Sequence, residues 1–315
     1  MASRRLRKQL KKLLLAAPLI LQSGCSPCSN PAGCGPCPEE PFNFDVNTPA
    51  VFTDGGSFDC HAACQAVSGR GPTDSCSQVT GTDGGVGVQC TYTTLCHTGR
   101  RPEGLLASVA ASGSSPVGSW LAECARLEAA AVHAFARTAV ELRAHGAPDR
   151  LVARARGAAA DEVRHARAMR HHARRHGTQP LSASVAAPAQ HRRPLLQLAL
   201  ENAVEGCVRE TYGALVAQWQ AKSAKDRALK GALKAIAHDE TNHAELSWDL
   251  KAWFDTQLSA AEREQLRAAM VSAVAQLQCE AATPAAAECE QAAGVPSAEV
   301  AQAFIRSLRE EVWRC

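Results

Sequence analysis

The sequence of 315 residues lacks a second long apolar run beside the one at 13–21. No other apolar stretch approaches the roughly 20 residues that a helix needs to cross a bilayer. Six basic residues precede the run, and Ser23, Gly24 and Cys25 follow it, which is typical of an export signal. We therefore expect residues 1–24 to be an export signal and the rest of the chain to meet a membrane at most through a lipid anchor.

An excess of positive charge is also absent once the signal is set aside. The whole chain has 34 lysines and arginines against 31 aspartates and glutamates, a formal net charge of +3. Without the six basic residues of the signal, 28 basic residues face 31 acidic ones. Because nucleic-acid-binding domains usually carry a basic surface, we expect no nucleic-acid partner.

The segment around Cys25 bears on whether the exported chain is anchored to a membrane by a lipid. Cleavage before Cys25 resembles the processing of a bacterial lipoprotein, in which this cysteine is lipidated, and predicts a protein anchored in the cell envelope. Gln22 stands where such signals favour leucine, so a periplasmic or secreted protein is the alternative. Arg4 and Arg5 hint at a twin-arginine signal, but Arg7 stands where an apolar residue is usual, and the export route stays open.

Most of the 14 cysteines lie between Cys25 and Cys96. In an exported chain this favours disulfides, and residues 25–104 are rich in glycine, proline and serine with a few β-type runs. We expect a small disulfide-rich module there, or else a linker with incidental bridges, followed by a linker at 105–118. Cys124 and Cys207, farther along, could bridge each other, pair with a terminal cysteine or remain thiols.

From Trp120 onward the sequence has few β-branched runs and is rich in alanine, with leucine and valine at three-to-four spacing, which predicts long helices. We expect an all-α region made of two helical hairpins, whose middle connection, at 177–193, is long enough to cross a whole bundle or to form an ordinary hairpin. The bundle should span 119–255 and a helical extension 256–315. The helices are expected at about 119–145, 149–176, 194–221, 224–255, 259–278 and 297–313.

Two strings, DEVRH at 161–165 and DETNH at 239–243, occupy equivalent places in the repeated hairpins. Glu-x-x-His puts a carboxylate and an imidazole on one helix face, and Glu128 and Glu205 lie at matching positions on the preceding helices. Buried glutamates without partners are costly, whereas two divalent ions would balance four carboxylates. The pattern therefore predicts a two-metal site. The alternative is that Glu128 and Glu205 are surface residues and the two motifs are remnants. The predicted ligands are Glu128, Glu162, His165, Glu205, Glu240 and His243.

The helical region resembles the ferritin-like superfamily, with rubrerythrin as the closest well-studied chemistry. The strings GRRPEG at 99–104, LEAAAVHAF at 127–135 and ENAVEGCVRETYGAL at 201–215 resemble a group of cysteine-rich, exported, ferritin-like bacterial lipoproteins. The resemblance implies a ferritin-like four-helix bundle in which Glu162 and Glu240 bridge the metals. It further implies that Asp161 supports His243, that Asp239 supports His165, that Glu201 is a possible extra ligand and that Tyr212 lies close to the metals or in the core.

By this resemblance the cofactor is two iron ions, with manganese as the alternative. The expected activity is oxidation of ferrous iron, or reduction of O2 or peroxide. Paired Cys-x-x-Cys units of the rubredoxin type are lacking near the end of the chain, so the electron donor must be external. A noncatalytic envelope lipoprotein that uses the bundle as a scaffold competes with this hypothesis, and an oxygenase acting on an organic substrate is a third one. The sequence leaves open whether the protein is an oligomer.

Overall fold

The computed structural model of the protein describes residues 3–22, 42–43, 75–80, 86–91, 96, 99–106, 115–180, 182–186 and 192–314. The expected lipidation site Cys25 and most of the cysteine-rich module lie outside these residues. The described chain is mainly helical, which confirms the all-α prediction for the region after Trp120. Its helices are α1 (Ser3–Gln22), α2 (Pro116–Ala144), α3 (Asp149–Arg175), α4 (Leu195–Glu201), α5 (Thr211–Ser223), α6 (Arg227–Gln257), α7 (Ala260–Glu280), α8 (Ala287–Ala293) and α9 (Ala298–Leu308).

Capping residues fix several helix starts. The Ser115 hydroxyl accepts a hydrogen bond from Gly118 N, with Pro116 as the first helical residue. Asp226 accepts from the backbone of Ala228 and Leu229 at the start of α6. These bonds satisfy amides that lack a partner in the first helical turn, so the helices begin where the sequence supplies a cap.

Two helical hairpins make up the centre of the fold. Helices α2 and α3 pack along each other through a short turn at Gly146, whose φ of +73° suits glycine. Helices α5 and α6 form the second hairpin, and α3 packs against α6. Leucine and alanine side chains from these helices fill one buried core. The two-hairpin arrangement agrees with the sequence prediction, and the assignment to the ferritin-like superfamily stays a prediction.

The connection between the hairpins runs the full length of the bundle. At one end, the Ser115 hydroxyl donates to His176 O, 3.0 Å away, so α3 ends where α2 begins. At the other end, His145 Nε2 lies 2.9 Å from Arg193 O, so α4 begins where α2 ends. Residues 176 and 193 thus lie at opposite ends of α2, which resolves the open question about this connection in favour of a crossover.

One π-helical segment, Asn202–Glu210, interrupts the third long helix between α4 and α5. The sequence predicts a helix at about 194–221, and the unbroken helical stretch at 195–223 confirms it, but the π-helical segment within it was not predicted. Hydrogen bonds in a π-helix join residues i and i+5, and each residue therefore turns the chain less than in an α-helix. Side chains after Asn202 consequently no longer face the directions that a period of 3.6 residues assigns to them.

Helix α1 lies against the bundle and contacts α6 and α9. Leu6 and Leu10 are fully buried there, and Arg7 donates to Glu245, 2.9 Å away, and to Asn242, 2.7 Å away. No helix among the described residues is long and apolar enough to cross a membrane. The expectation that residues 1–24 are an export signal stays a prediction.

The remaining elements surround this centre. Helix α7 packs on the π-helical segment and α4, and α9 packs on α5, continuing into a second π-helical turn at Arg309–Trp313. Three short strands are described in the expected cysteine-rich module, with β1 at Phe42–Asn43, β2 at Ser75–Thr80 and β3 at Val86–Thr91. They form an antiparallel sheet in the order β1-β3-β2.

Candidate metal centre

Five buried side chains from three helices meet between the two hairpins. Glu162 and His165 lie on α3, Glu240 and His243 on α6, and Glu128 on α2. The three-residue spacing of each Glu-x-x-His pair places both side chains on one helix face. All five are between 0% and 2% exposed, so water does not screen the charges they carry.

The His165 end of the centre has a complete group of donors. His165 Nδ1 lies 3.3 Å from Glu240 Oε1, 3.5 Å from Glu162 Oε2 and 3.7 Å from Glu128 Oε2. One atom from each of these four residues lies within 4.8 Å of the others, close enough to surround a single ion. One imidazole nitrogen and three carboxylate oxygens form a donor set that suits iron or manganese.

The His243 end has fewer donors. His243 Nδ1 lies 3.3 Å from Glu162 Oε1 and 3.7 Å from Glu240 Oε1. Among the described residues, no third carboxylate lies within 4.0 Å of this nitrogen. Glu162 and Glu240 therefore face both imidazoles, and Glu128 serves the His165 end alone.

Two aspartates hold the outer nitrogens of the imidazoles. Asp239 Oδ2 lies 3.2 Å from His165 Nε2, and Asp161 Oδ2 lies 3.2 Å from His243 Nε2. These are the cross-hairpin pairings expected from the sequence. Arg164 contacts both aspartates, at 2.6 Å from Asp161 and 3.0 Å from Asp239. Because each carboxylate accepts a hydrogen bond from Nε2–H, the proton stays on Nε2 and the lone pair of Nδ1 remains available in the interior.

The inward-facing atoms fit a metal centre because none of them makes a hydrogen bond. Six buried atoms make no hydrogen bond: Glu128 Oε2, both carboxylate oxygens of Glu162, Glu240 Oε1 and the Nδ1 atoms of His165 and His243. Buried polar atoms in folded proteins nearly always make a hydrogen bond, and six neighbouring atoms that make none require an explanation. Bound cations would satisfy all six.

The electrostatics of the five side chains show the same need for positive charge. Burial raises the pKa of Glu128 to about 8, and the neighbouring Glu162 carboxylate adds to the rise. Burial also raises the pKa of Glu240. At His165, burial favours the neutral ring, but contacts with Glu128, Glu162 and Glu240 outweigh it and raise the pKa of the imidazole. Protons and metal ions therefore compete for the same atoms, and metal binding should release protons.

The structure does not bring Glu205 and Glu201 into this group. Glu205 accepts a hydrogen bond from Arg101 N at 3.1 Å and lies 3.6 Å from Arg209 Nε. Burial raises the pKa of Glu205, although both arginines oppose the rise. Glu201 pairs with Arg193 and lies 4.0 Å from Arg100 Nη1. The two carboxylates, which the α-helical period places on one face, thus make separate ion pairs on either side of the point where the π-helix begins.

Tyr212 is fully buried in the hydrophobic core. Burial raises the pKa of its phenol group, so the side chain stays neutral. Its expected role close to the metals stays a prediction.

Arg100 is a buried residue to which sequence reasoning assigned no role. Its side chain is 0% exposed, and Nε donates to Glu210 Oε1 at 3.2 Å. Its Nη2 donates to Asn202 Oδ1 and to Ser247 Oγ, both at 3.0 Å. Asn202 and Glu210 are the first and last residues of the π-helical segment. Only the string GRRPEG marked this region in the sequence, and no periodicity in that string shows that Arg100 enters the bundle.

The segment 99–106 that carries Arg100 is attached to α2. A disulfide joins Cys96 to Cys124 on that helix, so all three alternatives expected for Cys124 are wrong, whereas Cys207 is a buried thiol, which was one of its expected alternatives. Gly99 has a φ of +78°, and a Cβ atom on it would lie 3.0 Å from Leu127 O. Both features hold the chain close against α2 at the point where Arg100 enters the core.

The chain was compared with models of protein families, with curated proteins and with solved structures, and none of them matches it.

Proposed function

We propose that this chain is an exported, ferritin-like protein that holds two iron or two manganese ions and has a redox role. The activity would be oxidation of ferrous iron, or reduction of O2 or peroxide by an external electron donor. The observation that carries the proposal is a group of six buried donor atoms that have no hydrogen-bond partner. These atoms belong to Glu128, Glu162, His165, Glu240 and His243.

The side chains have separate roles in this proposal. Glu162 and Glu240, which face both imidazoles, would bridge the ions, and Glu128 would bind one of them. Asp239 and Asp161 keep a proton on the outer nitrogen of each imidazole, so that Nδ1 points inward without a proton. Burial of the whole group excludes bulk water and strengthens each interaction between the carboxylates and a cation.

Two ions of a redox metal would together supply the two electrons that, with two protons, reduce peroxide to two water molecules. The described part of the chain contains no second set of buried, partnerless metal-binding side chains. We therefore place the proposed activity at this centre. The donor that would reduce the ions again is expected to come from another molecule.

Metal analysis tests the centre directly. Titration of the chelator-treated protein with ferrous iron or manganese should reach about two equivalents per chain. Exchange of both Glu162 and Glu240 for alanine should abolish binding, because these two carboxylates face both imidazoles. Glu123→Ala is the matched control, since Glu123 lies on α2 and pairs with Arg126 at 2.7 Å, outside the group. A folded wild-type protein that binds no metal would refute the proposal.

A second experiment tests the redox role. Protein loaded with ferrous iron without oxygen is mixed with hydrogen peroxide, and iron oxidation is followed by near-ultraviolet absorbance in a stopped-flow instrument. Oxidation should be faster than that of the same iron with the Glu162 and Glu240 double variant. If metal binds but is oxidised no faster than with that variant, the redox role is refuted and the scaffold hypothesis becomes the better account.

A further inference from the structure

The two ends of the centre differ in what surrounds them. Three carboxylates lie within 3.7 Å of His165 Nδ1, from Glu128, Glu162 and Glu240. In the part of the chain that the structure describes, only the carboxylates of Glu162 and Glu240 lie within that distance of His243 Nδ1. The repeat in the sequence pairs Glu128 with Glu205, but Glu205 is held by Arg101 N and Arg209.

Arg100 binds the third long helix through Asn202 and Glu210, and it binds α6 through Ser247, on the His243 side of the centre. Ser247, which accepts a hydrogen bond from Arg100 Nη2, lies one helical turn after His243 and contacts His243 O at 3.0 Å. The Phe135 ring links the two groups, because its centroid lies 4.9 Å from Arg100 Cζ and 5.1 Å from the His243 ring.

At Gly206, the third long helix leaves no room for a side chain. A Cβ atom on Gly206 would lie 2.5 Å from Arg100 Nη2 and 2.6 Å from Ser247 Oγ. Glu210, one turn further along, already binds Arg100 at 3.2 Å, and its second oxygen accepts from Ser247 at 2.6 Å. Asn202, Glu210 and Ser247 thus all bind the guanidinium of Arg100.

We infer that the two metal positions are unequal, an inference that rests on the proposed function. The His165 position binds an ion tightly through Glu128, Glu162, Glu240 and His165. The His243 position binds a second ion more weakly, through His243 and the two shared glutamates, and Glu205 is not a ligand. The loss of a direct carboxylate ligand should lower the affinity for an ion at least as much as the loss of a supporting residue does, that is, by at least about tenfold.

Glu128 and Glu205 provide the test because they are equivalent positions of the repeat. The full-length, chelator-treated protein is titrated with manganese(II), and the free ion is measured by electron paramagnetic resonance. Glu128→Gln should raise the dissociation constant of the tight ion at least about tenfold. Glu205→Gln should leave both constants within about threefold of wild type, because its interactions lie outside the centre.

The outcomes separate the inference from the proposed function. Two equal affinities in the wild type, or equal losses with Glu128→Gln and Glu205→Gln, would overturn the inequality while leaving the metal centre in place. A folded wild type that binds no manganese and no iron would refute the metal centre itself, and the inequality with it.

Folding of the variants is checked by circular dichroism. Glu128→Gln keeps the shape of the side chain and adds no charge to a crowded group of carboxylates, so it should fold. Glu205→Gln weakens the contact with Arg209. If Glu205→Gln fails to fold, Glu205→Asp is used in its place. If Glu205 were a ligand, shortening its side chain by one methylene would also raise the dissociation constant of an ion at least about tenfold. We expect Glu205→Asp to leave both dissociation constants unchanged.

Discussion

Arg100→Met is the substitution that tests the described core most directly. Methionine keeps most of the apolar stem of Arg100 and removes the guanidinium that binds Glu210, Asn202 and Ser247. The Glu210 carboxylate, in a residue that is 3% exposed, then remains buried without its ion-pair partner. We expect the free energy of unfolding to fall.

The size of the loss follows from these contacts. Removal of one partner of a buried ion pair usually costs about 3 to 5 kcal/mol, because the other charge stays buried. Ser247 still donates to Glu210 at 2.6 Å, which places the loss towards the lower end of that range. The contact of the guanidinium with the Phe135 ring adds about 1 kcal/mol. We therefore expect a loss of about 4 kcal/mol, a large part of the usual stability of a domain.

Urea unfolding followed by circular dichroism, in the presence of a chelator, measures this loss without a contribution from metal. Arg101→Met is the matched control, because Arg101 is the next residue and contacts Glu205 through its backbone N. The control should lose less than about 1 kcal/mol. Addition of Glu210→Gln to Arg100→Met should restore part of the stability, since it removes the unpaired charge.

Two results would refute this reasoning. A loss below about 1 kcal/mol in Arg100→Met, equal to that of the control, would mean that the guanidinium is not buried among these partners. A double variant less stable than Arg100→Met would mean that the charge of Glu210 is not left unpaired.

Three further predictions concern pH, the disulfide and the aspartates. Since the folded metal-free chain raises the pKa of Glu128 from 4.5 to about 8, it holds a proton that the unfolded chain releases. The free energy of unfolding should therefore fall between pH 5 and pH 8 by about 2 kcal/mol or more; a slope unchanged in Glu128→Gln would contradict this. Exchange of both Cys96 and Cys124 for alanine opens a loop of 28 residues and should cost about 3.5 kcal/mol in urea unfolding, and an unchanged midpoint would count against the bond. In manganese titrations, Asp239→Ala should weaken the tight ion about 10- to 100-fold and Asp161→Ala the weaker ion, and the reverse assignment would show that the pairings are wrong.

The sequence predicts those parts of the centre that depend on one helix alone. Glu162 with His165, and Glu240 with His243, share a helix face because their three-residue spacing requires it. Glu128 also lies where the repeat places it, at the level of Glu162 on the neighbouring helix. These positions need only α-helical geometry and short turns, both of which the alanine-rich sequence indicates.

The position of Glu205 could not be predicted in this way. The π-helical segment begins at Asn202, three residues before Glu205, and changes the direction of each side chain that follows. A π-helical segment depends on contacts with the surrounding core rather than on local propensity. No residue in the string ENAVEGCVRE marks it, and the 3.6-residue period therefore does not give the direction of the Glu205 side chain.

Arg100 and the disulfide could not be predicted because both depend on distant parts of the chain. Arg100 meets Asn202 and Ser247, which lie 102 and 147 residues away in the sequence. Spacing rules apply within a helix or a hairpin and do not extend across such distances. Likewise, the sequence shows that Cys124 has many potential partners and cannot select Cys96 among them.

The segment 99–106 therefore belongs to the core of the helical region as much as to the module that precedes it. Arg100 reaches Ser247, one turn from His243, whereas Glu128 at the other end of the centre has no contact with Arg100 among the described residues. A change in this segment should consequently alter the His243 position more than the His165 position. The disulfide joins Cys96, just before this segment, to Cys124 on α2, four residues before Glu128. The contact of Arg100 with Ser247 is thus one physical reason why the surroundings of the two imidazoles differ.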